Sequence, residues 1–473
     1  MMETSRWLLR IPARGQENGG IPKVSMELEQ QAAITPELLT ACKERFAQSP
    51  QQRALASAVR KNGISAVAMD LERAQTMQHT FSHVIKGGPV TNQKQSGRCW
   101  MFAGLNVLRI PVMARCNLEE FELSQAYQMF WDKFEKANYF LENILETLEE
   151  PLDGRLLAWL LSAPLGDGGQ WDMFVNLVEK YGVVPKWVMP ESFHSGQSRA
   201  MNALLTAKLR QDAAHLRSLH AQGEGPSSLR REKERVLGEF YGALATFLGE
   251  PPQRFDFEYR SRDDEFHREQ GLTPVEFFHR YVGMDLREYI SVINAPTADK
   301  PYGRTFTVKY LGNVKGGRDV LYLNADSNVL REAAMAQLMD GEPVWFGCDV
   351  GNMQDRESVI LSENLFNYAA VLGVPMQMTK AQRLDYGESL MTHAMVFTGV
   401  NVVHGSPDRW RVENSWGAEN GNKGYFVMGD DWFDAYMYQV VVRRAYLPQD
   451  LQAALAQPPV ELPPWDPMGS LAG

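Results

Sequence analysis

Apolar periodicity changes character once along this chain, and that change limits the fold more than any other feature. From about Thr35 to about Glu250 apolar residues recur at helical spacing. Pro36 stands at an N1-like position, Ser124 precedes a long amphipathic stretch running to about Leu148, and the segment from Ser198 to Glu250 breaks only at Gly223–Ser228. After about Thr305 strand-like alternation dominates, with one helix expected from Ser327 to Met339. Pro343–Val350, Met391–Val400, Trp410–Asn414, Tyr425–Met428 and Tyr438–Val442 read as strands of an antiparallel sheet. Helices first and strands later imply an α+β protein with a cleft between two lobes.

At the helical side of that cleft the stretch Thr91–Ala103 places Cys99 at a helix start, with Gln93 six residues before it. A thiol must lose its proton to attack, and at its ordinary pKa of about 8.5 little thiolate exists at neutral pH. Ser96 is expected to cap the helix, leaving Cys99 in the first turn, where unpaired N–H groups and the helix dipole favour a negative sulfur. Trp100, Ala103, Val107 and Leu108 follow at helical spacing, and Pro111 is expected to bend or end the helix. By itself this pattern more often describes an inert buried cysteine.

The remaining composition excludes more than it assigns. A formal charge of -10 and a pI near 5.5 offer no global attraction to nucleic acid or anionic membrane. The mixed-sign run Arg230–Arg235 reads as a solvated helix face. Four cysteines, Cys42, Cys99, Cys116 and Cys348, form no C-x-x-C pair, which suits a reducing compartment, and all but Cys99 are read as structural. No apolar run approaches a membrane span, and Trp7-Leu8-Leu9 is too short for a signal-peptide core, so the expected localisation is cytoplasmic. His79 and His83 are expected on a surface helix, no metal-ligand cluster is found, and no cofactor is implied. Gly166–Met173 is a glycine-rich turn through which another backbone could approach closely.

A partner set for Cys99 lies downstream. His393 stands at the start of a strand, where it can project from the sheet edge toward the cleft, and Asn414, 21 residues later, leads into Asn414-Ser415-Trp416-Gly417. An amide can hold an imidazole in one tautomer and tolerate its charge. Trp416 could shield that contact from water, and the Gln93 side chain could join the Cys99 backbone N–H in an oxyanion hole.

With these residues in view the chain resembles papain-like cysteine peptidases of the bleomycin hydrolase and bacterial aminopeptidase C family. The resemblance rests on Gln93 with Ser96–Trp100, on Gly168–Asp172, on Gly387–Ala394, on Glu413–Gly417 and on Trp465–Gly469, spanning about residue 65 to the end. Where the papain signature has a cysteine two residues before the nucleophile this chain has Gly97. The resemblance implies a papain-like two-lobed domain with helical insertions, peptide substrates and a homohexameric ring. It implies catalytic Cys99, His393 and Asn414, an oxyanion Gln93, supporting Trp100 and Trp416, and substrate-binding Gly168 and Gly169. It also implies a carboxyl-terminal arm in the cleft whose carboxylate, on Gly473 or on Ala472 after trimming, meets the substrate amine.

The expected organisation is a disordered leader over 1–30, an arm and helical lobe over 31–197, a mostly helical insertion over 198–300, a β-rich lobe over 301–448, and the arm over 449–473. The expected activity is a broad cysteine aminopeptidase working through a thioester, with bleomycin-like amides as a candidate extension of its substrates. A cysteine endopeptidase, a Cys-His acyltransferase and a ring-shaped nucleic-acid-binding scaffold are the alternatives.

Overall fold

The computed structural model of the protein describes residues 33–419 and 421–472; the expected leader lies outside the described residues. The chain divides into two compact units. The smaller takes the residues up to Ala68 together with Tyr368–Pro375. It contains α1 (Pro36–Ala47), capped by Thr35, and α2 (Pro50–Asn62), capped by Ser49, each with proline in its first turn. Neither helix has a buried residue, so Cys42 on α1 is exposed rather than part of a core.

The larger unit, Met69–Asn367 with Met376–Gly473, carries the candidate site. Its first half supplies α3 (Cys99–Arg115), α4 (Gln125–Glu146), α5 (Trp171–Tyr181), α6 (Arg199–Ala221) and α7 (Pro226–Leu248). Ser124 caps α4 by accepting the Tyr127 N–H at 3.0 Å. The break between α6 and α7 falls where glycine was expected to place it, with Gly223 at φ +90. A two-stranded hairpin, Phe255–Arg260 with Phe266–Leu272, follows the helices.

Proline does not end α3. The helix runs through Pro111 to Arg115, with Val107 and Leu108 before the proline and Val112 and Met113 after it all buried. Packing on both sides outweighs the one backbone hydrogen bond that the imide cannot make.

The second half forms β1 (Tyr289–Ile293), β2 (Arg304–Val308), β3 (Tyr322–Asn324), α8 (Ser327–Met339), β4 (Val344–Cys348), β5 (His393–Val403), β6 (Ser406–Glu413), β7 (Tyr425–Gly429), β8 (Met437–Arg443) and β9 (Val460–Leu462). In space the strands run β9-β2-β3-β1-β8-β4-β5-β6-β7, continued by Ile360–Leu361 and Gln354–Asp355. The central pairings are antiparallel as expected, but β9 with β2, β3 with β1, and Ile360–Leu361 with β7 are parallel. The sheet is therefore mixed, because long connections bring these strands in from the same end. His83 does not lie on a helix; it begins a two-residue strand, His83–Val84, against β5.

Alternation along β4 and β5 divides the core between the two sheet faces. Trp345, Ala394 and Val396 join the cluster that contains α3, α4 and α5. Phe346, Cys348, Met395 and Phe397 join the cluster built with Leu330, Ala333 and Leu338 of α8. Helix α3 is thus pressed against one sheet face, and Arg109 fixes it there with a 2.6 Å ion pair to Glu413 at the end of β6, both side chains 1% exposed. Arg109 also donates to the Pro89 carbonyl at 3.0 Å.

Burial pushes the Glu413 carboxyl up to about 7 although Arg109 and Arg411 favour its charge. A carboxyl raised in this way costs stability once ionised, so an unpaired Glu413 is most costly above that pH. Arg109→Met is expected to destabilise the protein by about 3–5 kcal/mol, with a Tm deficit larger well above pH 7 than well below it. Thermal unfolding on both sides of neutrality checks this; equal deficits would show that the lost pairing is not the cause.

Candidate active site

Cys99 is the first residue of α3, and the turn before it is held more elaborately than a single cap would require. The cap position is Arg98, which makes no side-chain capping bond. Ser96, the expected cap, instead donates its hydroxyl to the Gln93 carbonyl at 2.7 Å and accepts from Arg98 Nε at 2.9 Å. Arg98 is locked by a two-point pair with Glu191, at 3.0 and 2.8 Å. The Gly97 N–H donates to Asp167 Oδ2 at 2.9 Å, and a Cβ at Gly97 would stand 2.9 Å from the Asp167 Cβ.

Asp167 was not singled out by the sequence, yet it organises this corner. Its carboxylate pairs with Lys133 at 2.6 Å and accepts from Asn202 at 2.7 Å and from Ser198. Its carbonyl accepts the Trp100 indole N–H at 2.7 Å. Burial opposes the charge, but Lys133, Ser198 and Asn202 hold the carboxyl well below the usual range. Lys136 adds bonds to the Gly166 and Gly168 carbonyls at 3.0 and 2.5 Å and pairs with Asp132 at 2.8 Å. The signal available in the sequence was Asp132, Lys133 and Lys136 within an aromatic stretch of α4. Their bulk and charge suggest solvent, whereas all three are buried beneath the glycine loop.

That loop explains its own glycines in part. A Cβ at Gly169 would lie 2.5 Å from the Trp100 indole, so the close approach at this position is to the ring behind the loop. Trp100 in turn offers its carbonyl to Trp345 Nε1 at 3.0 Å, joining the cysteine helix to β4.

The sheet brings the other candidates together. His393 opens β5 and Asn414 directly follows β6; these strands pair in register through Val396 and Glu413. His393 Nε2 and Asn414 Oδ1 are 2.8 Å apart, and since an amide oxygen only accepts, Nε2 is the donor and Nδ1 the acceptor of the neutral ring. Asn414 Oδ1 also accepts the Ser415 N–H at 2.7 Å, which fixes the amide's orientation. The Trp416 ring lies 5.0 Å from the imidazole, over the side where the sequence suggested a shield. Cys99 is close enough to the start of β5 that the backbone N–H of Ala394, next to His393, favours its thiolate.

Gln93 is tied between both halves. Its N–H donates to the Ser415 carbonyl at 2.8 Å, its Oε1 accepts from the Ser415 hydroxyl at 2.5 Å, and its Nε2 donates to the Ser96 carbonyl at 2.6 Å. An amide nitrogen carries two hydrogens, so one remains for a ligand beside the Cys99 N–H, which starts the helix without an intrahelical partner.

The electrostatics disfavour isolated charges here. Burial pushes the Cys99 thiol up to about 11, against backbone hydrogen bonds from Ala394, Trp100 and Cys99 itself. Burial likewise pushes His393 down to about 4, opposed by its bond to Asn414. Neither charge forms readily alone; moving the thiol proton onto the imidazole creates both together, so that each compensates the other.

The carboxyl-terminal segment reaches the same region. β9 pairs with β2, and Asp466 forms a 2.8 Å pair with Lys300, both side chains 4% exposed. Tyr322 donates to the Met468 carbonyl at 3.0 Å, and Ser470 donates to the carbonyl of Met391, two residues before His393, at 2.8 Å. Gly473, the expected carrier of the terminal carboxylate, lies outside the described residues. Among the described residues no cluster of metal-ligating side chains occurs, and no helix is long and apolar enough to cross a membrane.

Known proteins are similar to this chain over most of its length. The chain is 50% identical over 442 residues to Aminopeptidase C of Listeria monocytogenes, covering 93% of this chain and 100% of the relative. It is 45% identical to bleomycin hydrolase of Gallus gallus, covering 86% and 91%. The crystal structure of PepW from Lactobacillus rhamnosis HN001 superposes with a TM-score of 0.92 at 51% identity, covering 93% of this chain and 99% of that one. With residues 33–469 matching the family as a whole, the chain belongs to the Peptidase C1-like family.

Proposed function

We propose that this protein is a papain-like cysteine aminopeptidase that removes amino-terminal residues from peptides, with Cys99 as nucleophile. The observation that carries the reading is the His393–Asn414 bond of 2.8 Å beside a cysteine at a helix start, in a chain about half identical to Aminopeptidase C. Transfer of the Cys99 proton to His393 Nδ1 gives the thiolate, which attacks the first peptide carbonyl. Gln93 Nε2 and the Cys99 N–H receive the oxyanion. His393 then protonates the departing amine, leaving a thioester, and takes a proton from the water that releases the acyl group. Asn414 holds the imidazole through both transfers. The relative named bleomycin hydrolase supports extending the substrate range to bleomycin-like amides.

The carboxyl-terminal arm restricts cleavage to the amino end. Its anchoring by Lys300, Tyr322 and the Met391 carbonyl, all short of the final residues, supports this role. Gly168 and Gly169 align the substrate backbone. The family resemblance supports a homohexamer, and four unpaired cysteines suit a cytoplasmic setting.

Cys99→Ala is expected to lower kcat by about 10⁴-fold or more, and Gln93→Ala by about 10²–10³-fold, in hydrolysis of an amino-acid arylamide. Unchanged turnover in Cys99→Ala would end the proposal. Because the active pair holds one proton and His393 gains a second only below its depressed value, the acid limb of kcat/KM is expected below pH 6.5, the ordinary imidazole value. A limb at or above that value would contradict the assignment. Removal of Leu471–Gly473 is expected to let the enzyme cleave amino-terminally blocked peptides that the intact protein leaves whole. Clean internal cleavage by the intact protein would instead identify an endopeptidase.

A further inference from the structure

If His393 protonates the departing amine, the surface beyond the imidazole meets the departing part of the substrate. That surface begins with Trp416, whose ring is 5.0 Å from the His393 ring with the planes tilted by 37°. The same indole also carries Arg356, with Cζ 4.8 Å from its centroid. One indole ring is therefore shared by a guanidinium and the imidazole. The charge is felt at the site, since Arg356 is the coulombic influence that disfavours the His393 cation.

Arg356 lacks the partner that such a group ordinarily has. It is exposed, and among the described residues it forms no ion pair. The hydrogen bond it does make, from Nε to Gln354 Oε1, is long at 3.5 Å, and leaves the two terminal nitrogens of the fork uncommitted. Other arginines close to the site are committed: Arg98 to Glu191 and Arg109 to Glu413. Stacking on an indole limits the guanidinium's freedom and presents its donors outward, which suits two-point binding of a carboxylate. In a chain of formal charge -10, a local cation also offsets the general repulsion of an anionic substrate.

We propose that Arg356 binds the terminal carboxylate of the departing portion, so that short peptides with a free carboxyl end, dipeptides and tripeptides, form a preferred substrate class. This rests on the reading of His393 as the proton donor to the leaving amine. The reach is appropriate, because an extended residue spans about 3.5 Å, and a carboxylate one or two residues beyond the scissile bond arrives near a group that shares an indole with the imidazole. Longer peptides carry their carboxylate past this point and gain nothing from it.

The test compares a tripeptide bearing a free carboxyl end with the same tripeptide as its carboxyl-terminal amide, in the full-length enzyme and in Arg356→Gln and Arg356→Lys. The native enzyme is expected to prefer the acid through a lower KM. Arg356→Gln should raise KM for the acid about tenfold, leave kcat within a factor of about two, and leave the amide's kinetics unchanged, erasing the preference. Arg356→Lys should keep part of it. Equal loss on acid and amide would show that Arg356 merely supports Trp416 and would overturn the proposal, as would the absence of any preference in the native enzyme. In both of those results continued hydrolysis of the amide leaves the peptidase reading standing. Failure of the native enzyme to cleave either tripeptide would count against that reading itself, and the inference would fall with it.

Discussion

A single buried ion pair relates the two halves of the candidate site. Arg109 lies on the helix that begins with Cys99, and Glu413 is the residue before Asn414, so their 2.6 Å contact ties the Cys99 helix to the residue hydrogen-bonded to the His393 imidazole. Trp345 makes the second tie, donating to the Trp100 carbonyl near the helix start. One attachment would allow the helix to pivot on the sheet. Two, with apolar packing between them, leave the sulfur one place to be.

Burial serves that arrangement at a cost visible in its ionisable groups. Glu413, Cys99 and His393 all meet surroundings that oppose a lone charge, and each has a compensating partner or hydrogen bond. Asp167 resolves the same conflict differently, by gathering Lys133, Ser198, Asn202 and the Gly97 N–H around one carboxylate. The contrast is one of role: structural charges are permanently neutralised, whereas the cysteine and histidine charges are compensated only when they appear together.

The candidate residues that the structure brings together could be picked from the sequence because the proposed chemistry needs distinctive residues next to distinctive neighbours. Cys99, His393 and Asn414 each sit in a short motif, and helix signals such as Ser124 before α4 or the glycines between α6 and α7 act locally. What stayed hidden depends on partners distant in sequence. Ser96 has the chemistry of a cap, but Arg98, drawn toward Glu191, claims its oxygen. Pro111 obeys local propensity only until burial on either side of it is counted. Lys133 and Lys136 resemble surface residues until the carbonyls of Gly166 and Gly168 are folded over them. The three parallel pairings follow from connections whose path periodicity does not record.

The placement of His393 and Asn414 at corresponding ends of paired strands separates two kinds of precision. Their spacing is written into a ladder of peptide hydrogen bonds, which side-chain replacement scarcely alters. The sulfur arrives from another element, on a surface of indoles, glycines and buried charge where every replacement changes a distance. Under the proposed function, the molecule thus carries a rigid proton-handling unit and a separately adjustable nucleophile. Variation among relatives in the residues beneath the glycine loop would retune reactivity while leaving the proton path intact.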